Sequence, residues 1–358
     1  MRRIKLVVSD FHLGHGRTTP DGAVNSLEDF ISDEAFADML EFYRTGEYAD
    51  AEVELVLNGD IFECLAVDPS VDADAAVITV GKSLAKIDAI VDGHRDLVQA
   101  LRTFADGPGR RVLFIVGNHD QDLLWEEVQQ RLRDRIHASI RFVHGHYAFD
   151  GVHIEHGNQH EVQNRVDPRK MFLTKGLPEP ILNLPWGSDL FVSCLMRLKR
   201  LRPYINRVRP FRLALTWSLV HDFRALMLGI WYFIVAMIRA RFRRHRQRRI
   251  TFLHTLRVLF GFSAWPTLED AAKRLLQLES IHTVIFGHTH IPLSRHPLPG
   301  KTYLNSGSWI PTSNLHIAGL GWSLLQTYVH IEYEGPTKPI ARLKLWHGKR
   351  VVEEDIVL

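Results

Sequence analysis

The sequence predicts an α/β sheet with mainly right-handed crossovers, on three observations. Short apolar runs at 4–9, 53–58 and 111–116 each stop abruptly at a small or polar residue, the form of a buried strand. Segments with apolar residues at helical spacing, 29–44 and 75–104, lie between those runs, so strand and helix alternate. Short polar motifs stand at the strand exits, where an open α/β sheet places its ligand site.

Beyond the third strand, 141–143, 147–149 and 152–155 read as further strands, the last two joined by an Asp150-Gly151 turn. Between 164 and 265 the rhythm is lost, and the segment is rich in Arg, Leu, Phe and Trp. It resumes with a helix at 267–279, a strand at 283–286, and strands near Tyr303 and at 324–331, 341–345 and 350–352. The expected organisation is a discontinuous core, 1–163 with 266–358, interrupted by a basic, apolar helical insertion at 164–265.

The chain has 358 residues, room for one large domain or two ordinary ones, and is 46% hydrophobic and 24% charged. That balance excludes a disordered, collagenous or multi-span membrane chain. Cys64 and Cys194 are the only cysteines, too few for a disulfide framework or a thiolate zinc site. The apolar run at the N-terminus is too short for a signal peptide, so a cytosolic location is expected. A net charge of +3 conceals a segregation: residues 191–250 carry fifteen Lys or Arg against the single acid Asp222, leaving 29 basic and 40 acidic residues elsewhere.

The polar motifs are Ser9-Asp10-Phe11-His12-Leu13-Gly14, Asn58-Gly59-Asp60-Ile61-Phe62-Glu63, Gly117-Asn118-His119-Asp120, Glu155-His156-Gly157-Asn158 and Gly287-His288-Thr289-His290. Two cations about 3.5 to 4 Å apart need mixed oxygen and nitrogen ligands, a carboxylate able to bridge them, and open positions for water and phosphate. Asp10, His12, Asp60, Asn118, His156, His288 and His290 supply these without a thiolate. Alternate side chains of a strand share a face, so Asp10 and His12, and likewise His288 and His290, point together if strand geometry persists into the turn. Such a set suits manganese, iron, zinc or cobalt better than the all-oxygen sites of magnesium or calcium.

Taken in order, these motifs resemble the pattern of the calcineurin-like metallophosphoesterase superfamily. The resemblance implies a four-layer α/β/β/α sandwich and a centre of two divalent metal ions, manganese first, with iron, zinc or cobalt as alternatives. It implies Asp10, His12, Asp60 and His290 on one metal, and Asp60, Asn118, His156 and His288 on the other, with Asp60 bridging. His119 becomes the residue that contacts the phosphoryl group or protonates the leaving oxygen, in a hydrolysis driven by metal-activated hydroxide. Glu63 is expected to orient, and Asp120 to cap a helix or support from behind. His160 is weighed as a substrate contact, whereas His15, His144, His146 and His153 are set aside. Asn305-Ser306-Gly307-Ser308-Trp309 resembles the family's loop after the last motif.

Within the insertion, 225–238 is a run of 14 residues without a charge, shorter than the about 17 to 25 residues a membrane span takes. Seven Arg follow between Arg239 and Arg249, and a second basic stretch at 197–212 precedes it. Apolar and aromatic helices beside dense Arg suit a segment lying in a membrane interface. Together with Asp10-Phe11-His12-Leu13-Gly14, Gly59-Asp60-Ile61-Phe62-Glu63 and His288-Thr289-His290-Ile291-Pro292, it resembles the bacterial UDP-2,3-diacylglucosamine diphosphatase group. That group typically carries Arg where His119 stands and has a less extended insertion. The expectation is a lipid-linked phosphate or diphosphate as substrate, an anionic surface as partner, and a peripheral position on the cytoplasmic face of the membrane. The alternatives are a soluble-substrate phosphodiesterase, nuclease or phosphatase with the same centre, in which the segment packs as a cap, contacts a partner subunit or binds nucleic acid, and a non-catalytic scaffold. The oligomeric state stays open.

Overall fold

The structure is a computed structural model, and it describes residues 1–19, 21–67, 77–209, 211–241, 268–315, 320–335 and 337–348. Two sheets form its centre. The first runs in the order Pro339–Leu345, Thr327–Tyr333, Arg3–Val8, Glu52–Asn58, Arg110–Ile115, Arg141–Val143. Arg3–Val8 is parallel to Glu52–Asn58 and antiparallel to Thr327–Tyr333, with Leu6 opposite Leu55 on one side and His330 on the other. The second runs in the order Leu293–Leu298, Lys301–Asn305, Thr283–Phe286, Val152–Glu155, His146–Phe149. Each sheet therefore takes strands from both sides of the segment 164–241.

Side-chain alternation explains the layering. Val7, Val56, Leu113 and Ile115 of the first sheet meet Ile154, Ile285 and Leu304 of the second in one buried cluster. The opposite side of the first sheet, with Leu6, Val8, Leu55 and Phe114, packs under helices Asp33–Arg44, Val80–Gly93, Arg95–Ala105 and Glu126–Arg135. Val284, Phe286 and Tyr303 turn outward against helix Leu268–Leu276. The result is the four-layer α/β/β/α sandwich expected above, its strands reading as continuous apolar runs because both faces are covered.

The differences from the expected elements have local causes. The helix expected from residue 29 begins at Asp33, because the carboxylates of Glu28 and Asp29 serve contacts outside it. The helix expected over 75–104 is two, broken at His94, where φ −123° and ψ 47° leave the helical region; residues 75–76 lie outside the described residues. The strand expected at 324–331 starts at Thr327, and Leu293–Leu298 was not anticipated. The strand expected at 350–352 and the Arg-rich run beyond residue 241 lie outside the described residues. The described part of the expected insertion also holds short strands: Val208–Arg209 pairs in parallel with Thr312–Asn314.

His94 carries a pH-dependent share of the stability. Its ring is buried, its Nδ1 lies 2.7 Å from Oδ1 of Asp33, and its Nε2 lies 3.6 Å from Oε2 of Glu28. Burial alone would lower its pKa, but the two carboxylates outweigh it and raise it to about 9. The protonated form is thus the stabilised one: the contribution is complete below the ordinary value near 6.5 and is lost as pH rises through about 9. We expect wild type to exceed His94→Gln by on the order of 3 kcal/mol at pH 6 and the gap to close toward pH 10. Urea unfolding of both proteins across that range measures it, and a gap that does not vary with pH contradicts it.

Candidate metal centre

Six of the seven candidate ligands, all but Asn118, converge at the strand exits, but not by the alternation the sequence suggested. Strands Arg3–Val8 and Thr283–Phe286 end before the ligands begin. Asp10, His12, Asp60, His288 and His290 all adopt left-handed backbone, with φ of 57°, 51°, 52°, 69° and 61°. Among the described residues, Asp150 in its turn is the one further non-glycine with positive φ. This corrects the expectation: tight left-handed turns aim these side chains inward, at the backbone cost such turns carry outside glycine. Two glycines make room. A Cβ on Gly59 would lie 2.5 Å from Nδ1 of His156, and one on Gly117 would overlap the Asp60 carboxylate.

Two triads result. Asp10, His12 and His290 bring ligand atoms together, with Nε2 of His12 3.1 Å from Nε2 of His290 and Oδ1 of Asp10 3.4 Å from the latter. Asp60, His156 and His288 form the second, where Oδ2 of Asp60 lies 3.1 Å from Nε2 of His156. The same oxygen is 3.9 Å from Nε2 of His12, so Asp60 reaches both triads. Asn118 is buried, and its Oδ1 has no hydrogen-bond partner among the described residues.

These groups fit cations. Nδ1 of His12 bonds Oε2 of Glu63 at 2.8 Å, and donation there leaves the lone pair of Nε2 facing its counterpart on His290. His288 pairs Nε2 with Oε2 of Glu161 at 2.9 Å, and its Nδ1 is buried without a hydrogen-bond partner among the described residues. Inward-facing lone pairs whose imidazoles are backed by carboxylates are the arrangement of a metal site. The electrostatics agree. Burial works against ionising Asp60, but His156, His119 and His12 outweigh it and hold its carboxyl well below the usual range. Burial likewise works against charging His156, yet Asp60 and Asp10 raise it to about 10. Positive charge is what this pocket attracts.

The surrounding residues brace the ligands. Nδ1 of His119 lies 2.8 Å from Oε1 of Glu63, so Glu63 bridges His119 and His12. These three side chains also come within mutual ligand distance, a grouping the motif pattern had not suggested. Asp120 supports from behind: its carboxylate accepts the amide N–H groups of Gly117 and Ile61, and the short helix after it receives no side-chain cap. Ser308 donates to the carbonyl of Asp10 at 2.7 Å and Asn305 to that of Gly287 at 2.6 Å, so the 305–309 loop orients the ligand turns. His160 pairs with Glu155 and packs on Phe286 rather than joining either triad. Sequence reasoning missed Glu161; its only signal was a carboxylate five residues after His156.

Beside the first triad lies a cavity of about 270 Å³. His12, Glu63, His119 and His290 form one side, and Phe191, Leu195 and Ile205 of the basic segment form the other. Phe191 meets the ring of His119 edge-on at 4.8 Å. Farther out, helices Phe211–His221 and Phe223–Arg241 leave Trp217, Val220, Phe223 and Trp231 more than half exposed. No single helix among the described residues is long and apolar enough to cross a membrane; Leu213–His221 with Phe223–Arg239 has the composition only as a pair bent by 119°.

Residues 5–292 match the model of the calcineurin-like phosphoesterase family. No curated protein matches the sequence. Among solved structures, a dimetal phosphatase from Danio rerio aligns at 12% identity over 96% of this chain and 98% of its own, with a TM-score of 0.35. A 5'-nucleotidase from Candida albicans aligns at 12% identity over 94% of this chain and 52% of its own, with a TM-score of 0.31.

Proposed function

Since the chain belongs to the calcineurin-like phosphoesterase family, and is therefore a phosphoester hydrolase, we propose that it cleaves a phosphodiester or phosphoanhydride of a lipid-linked substrate at an anionic membrane surface. The observation that carries this reading is the apolar wall of Phe191, Leu195 and Ile205 facing the ligand cluster. A nucleotide or a protein phosphoester offers little to such a wall; an acyl or isoprenoid chain does. The exposed aromatics of the bent helix pair, beside Arg224 and Arg239, extend the same chemistry outward to a bilayer interface. In this reading the protein is peripheral on the cytoplasmic face, and the resemblance to the UDP-2,3-diacylglucosamine diphosphatases extends to the class of substrate.

Asp10, His12, Asp60 and His290 would hold one divalent cation and Asp60, Asn118, His156 and His288 the other, with manganese our choice for this donor set. When bound, such ions supply Lewis-acid activation of water and neutralise charge on the phosphate. The chain's own residues do the rest. Glu63 fixes His119 at the rim of the cavity, on the side open to a leaving group. His119 is expected to donate its proton to the departing oxygen. Burial would lower its pKa, but Glu63 and Asp60 raise it to about 9.

The test is a panel of bis-p-nitrophenyl phosphate, UDP-2,3-diacylglucosamine in phosphatidylglycerol vesicles, and single-stranded DNA, assayed with EDTA and with manganese. Chelation is expected to abolish turnover and manganese to restore it, with the lipid the preferred substrate by kcat/KM. Cleavage of DNA with no turnover of the lipid would overturn the substrate reading while leaving the hydrolase.

A further inference from the structure

We propose that Asp29 is a positioning residue for substrate binding, holding the basic segment so that its apolar wall is registered on the ligand cluster. It takes no part in the chemistry. The inference rests on the hydrolase reading and on substrate contact with that wall.

Asp29 is 2% exposed and receives three donors from the basic segment. Lys199 donates Nζ to Oδ2 at 2.7 Å, Asn206 donates Nδ2 to Oδ2 at 2.6 Å, and Arg207 donates Nε to Oδ1 at 2.6 Å. Lys199 also reaches the carbonyl of Leu27, and Arg207 that of Glu28. Lys199 and Arg207 are themselves buried, at 1% and 6% exposure. One carboxylate thus faces two buried cations, and without it both would lose their compensating charge. Buried ion clusters add little net stability over apolar packing, so specifying one arrangement is the better physical account of this one.

Its place along the chain says which arrangement. The three donors follow Phe191 and Leu195 and flank Ile205, and Asn206 itself lines the cavity. On the core side, the neighbouring carboxylate of Glu28 accepts the amide N–H of Gly14 at 3.1 Å and of Gly16 at 2.7 Å, just beyond His12. The dipeptide Glu28-Asp29 therefore grips the ligand-bearing turn with one side chain and the substrate wall with the next. A shift of the wall relative to the triads by even about 1 Å is enough to disturb binding.

The experiment compares two esters with the same leaving group, methyl and octyl p-nitrophenyl phosphate, on the manganese-loaded enzyme. Wild type is expected to favour the octyl ester through a lower KM. Asp29→Asn keeps the shape and removes the charge, and it is expected to raise KM for the octyl ester about tenfold while kcat for both esters and metal content change less than about threefold. Lys199→Met, which leaves the Arg207 contact in place, is expected to show a smaller shift of the same kind and serves if Asp29→Asn does not fold. Equal loss on both esters, loss of metal, or an unchanged octyl preference in the two variants would overturn the proposal. So would a wild type indifferent to chain length. A wild type that cleaves neither ester would overturn it too, and the hydrolase reading falls only if every substrate of the panel above is also left uncleaved.

Discussion

Asp60→Ala is expected to abolish manganese binding and turnover together, with kcat/KM for bis-p-nitrophenyl phosphate falling by roughly 1000-fold or more. The reason is position. Asp60 reaches Nε2 of His156 at 3.1 Å and of His12 at 3.9 Å, and so belongs to both triads. Its other oxygen accepts the amide N–H of His119 at 2.8 Å, which ties the proton donor's backbone to the same carboxylate. Removing the side chain leaves the buried imidazoles of both triads with less negative charge to attract a cation, and neither triad is complete alone. Metal content by plasma mass spectrometry, alongside circular dichroism to show the sheet intact, separates this from misfolding. A variant that folds, keeps its manganese and turns over would refute the bridging role.

His119→Ala is expected to do the reverse, keeping the metals and slowing turnover by about 100- to 1000-fold, the range of a lost general acid. The side chain stands at the cavity rim against Phe191, bonds Glu63, and meets the ring of His12 edge-on at 4.7 Å without belonging to either triad. Its loss leaves His12 still oriented by Glu63 at 2.8 Å. The effect should depend on the leaving group: large for an alkyl phosphoester whose departing oxygen needs a proton, small for p-nitrophenolate, which leaves without one. Comparing the two leaving groups in wild type and variant measures this. Equal slowing on both would assign His119 to phosphate binding instead, and unchanged turnover would remove it from the mechanism.

The site was more legible than the way it is built. Polar residues at the ends of apolar runs are a local signal, so Asp10, Asp60, Asn118, His156 and the His288/His290 pair stood out from their motifs alone. The geometry that joins them was misjudged, because nothing in the residue order shows that the strands stop at Val8 and Phe286 and that the ligands take left-handed turns. Glu161 and Asp29 were passed over for a different reason. Their partners His288, Lys199 and Arg207 lie more than a hundred residues away, and an acid in a loop has no periodicity to set it apart. The same applies to His94, which breaks one expected helix into two because its ring is claimed by Asp33 across the fold.

The left-handed turns bear on the folded state as well as on the chemistry. A non-glycine residue in that conformation is disfavoured by roughly 1 to 2 kcal/mol, and five of them carry the ligand cluster, against the roughly 5 to 15 kcal/mol by which folded proteins are ordinarily stable. Divalent ions drawn to those side chains would offset the local tension, so that they clamp the backbone as well as polarise the phosphate. Deprived of them, these loops become the segments most prone to open, ahead of the two sheets they connect.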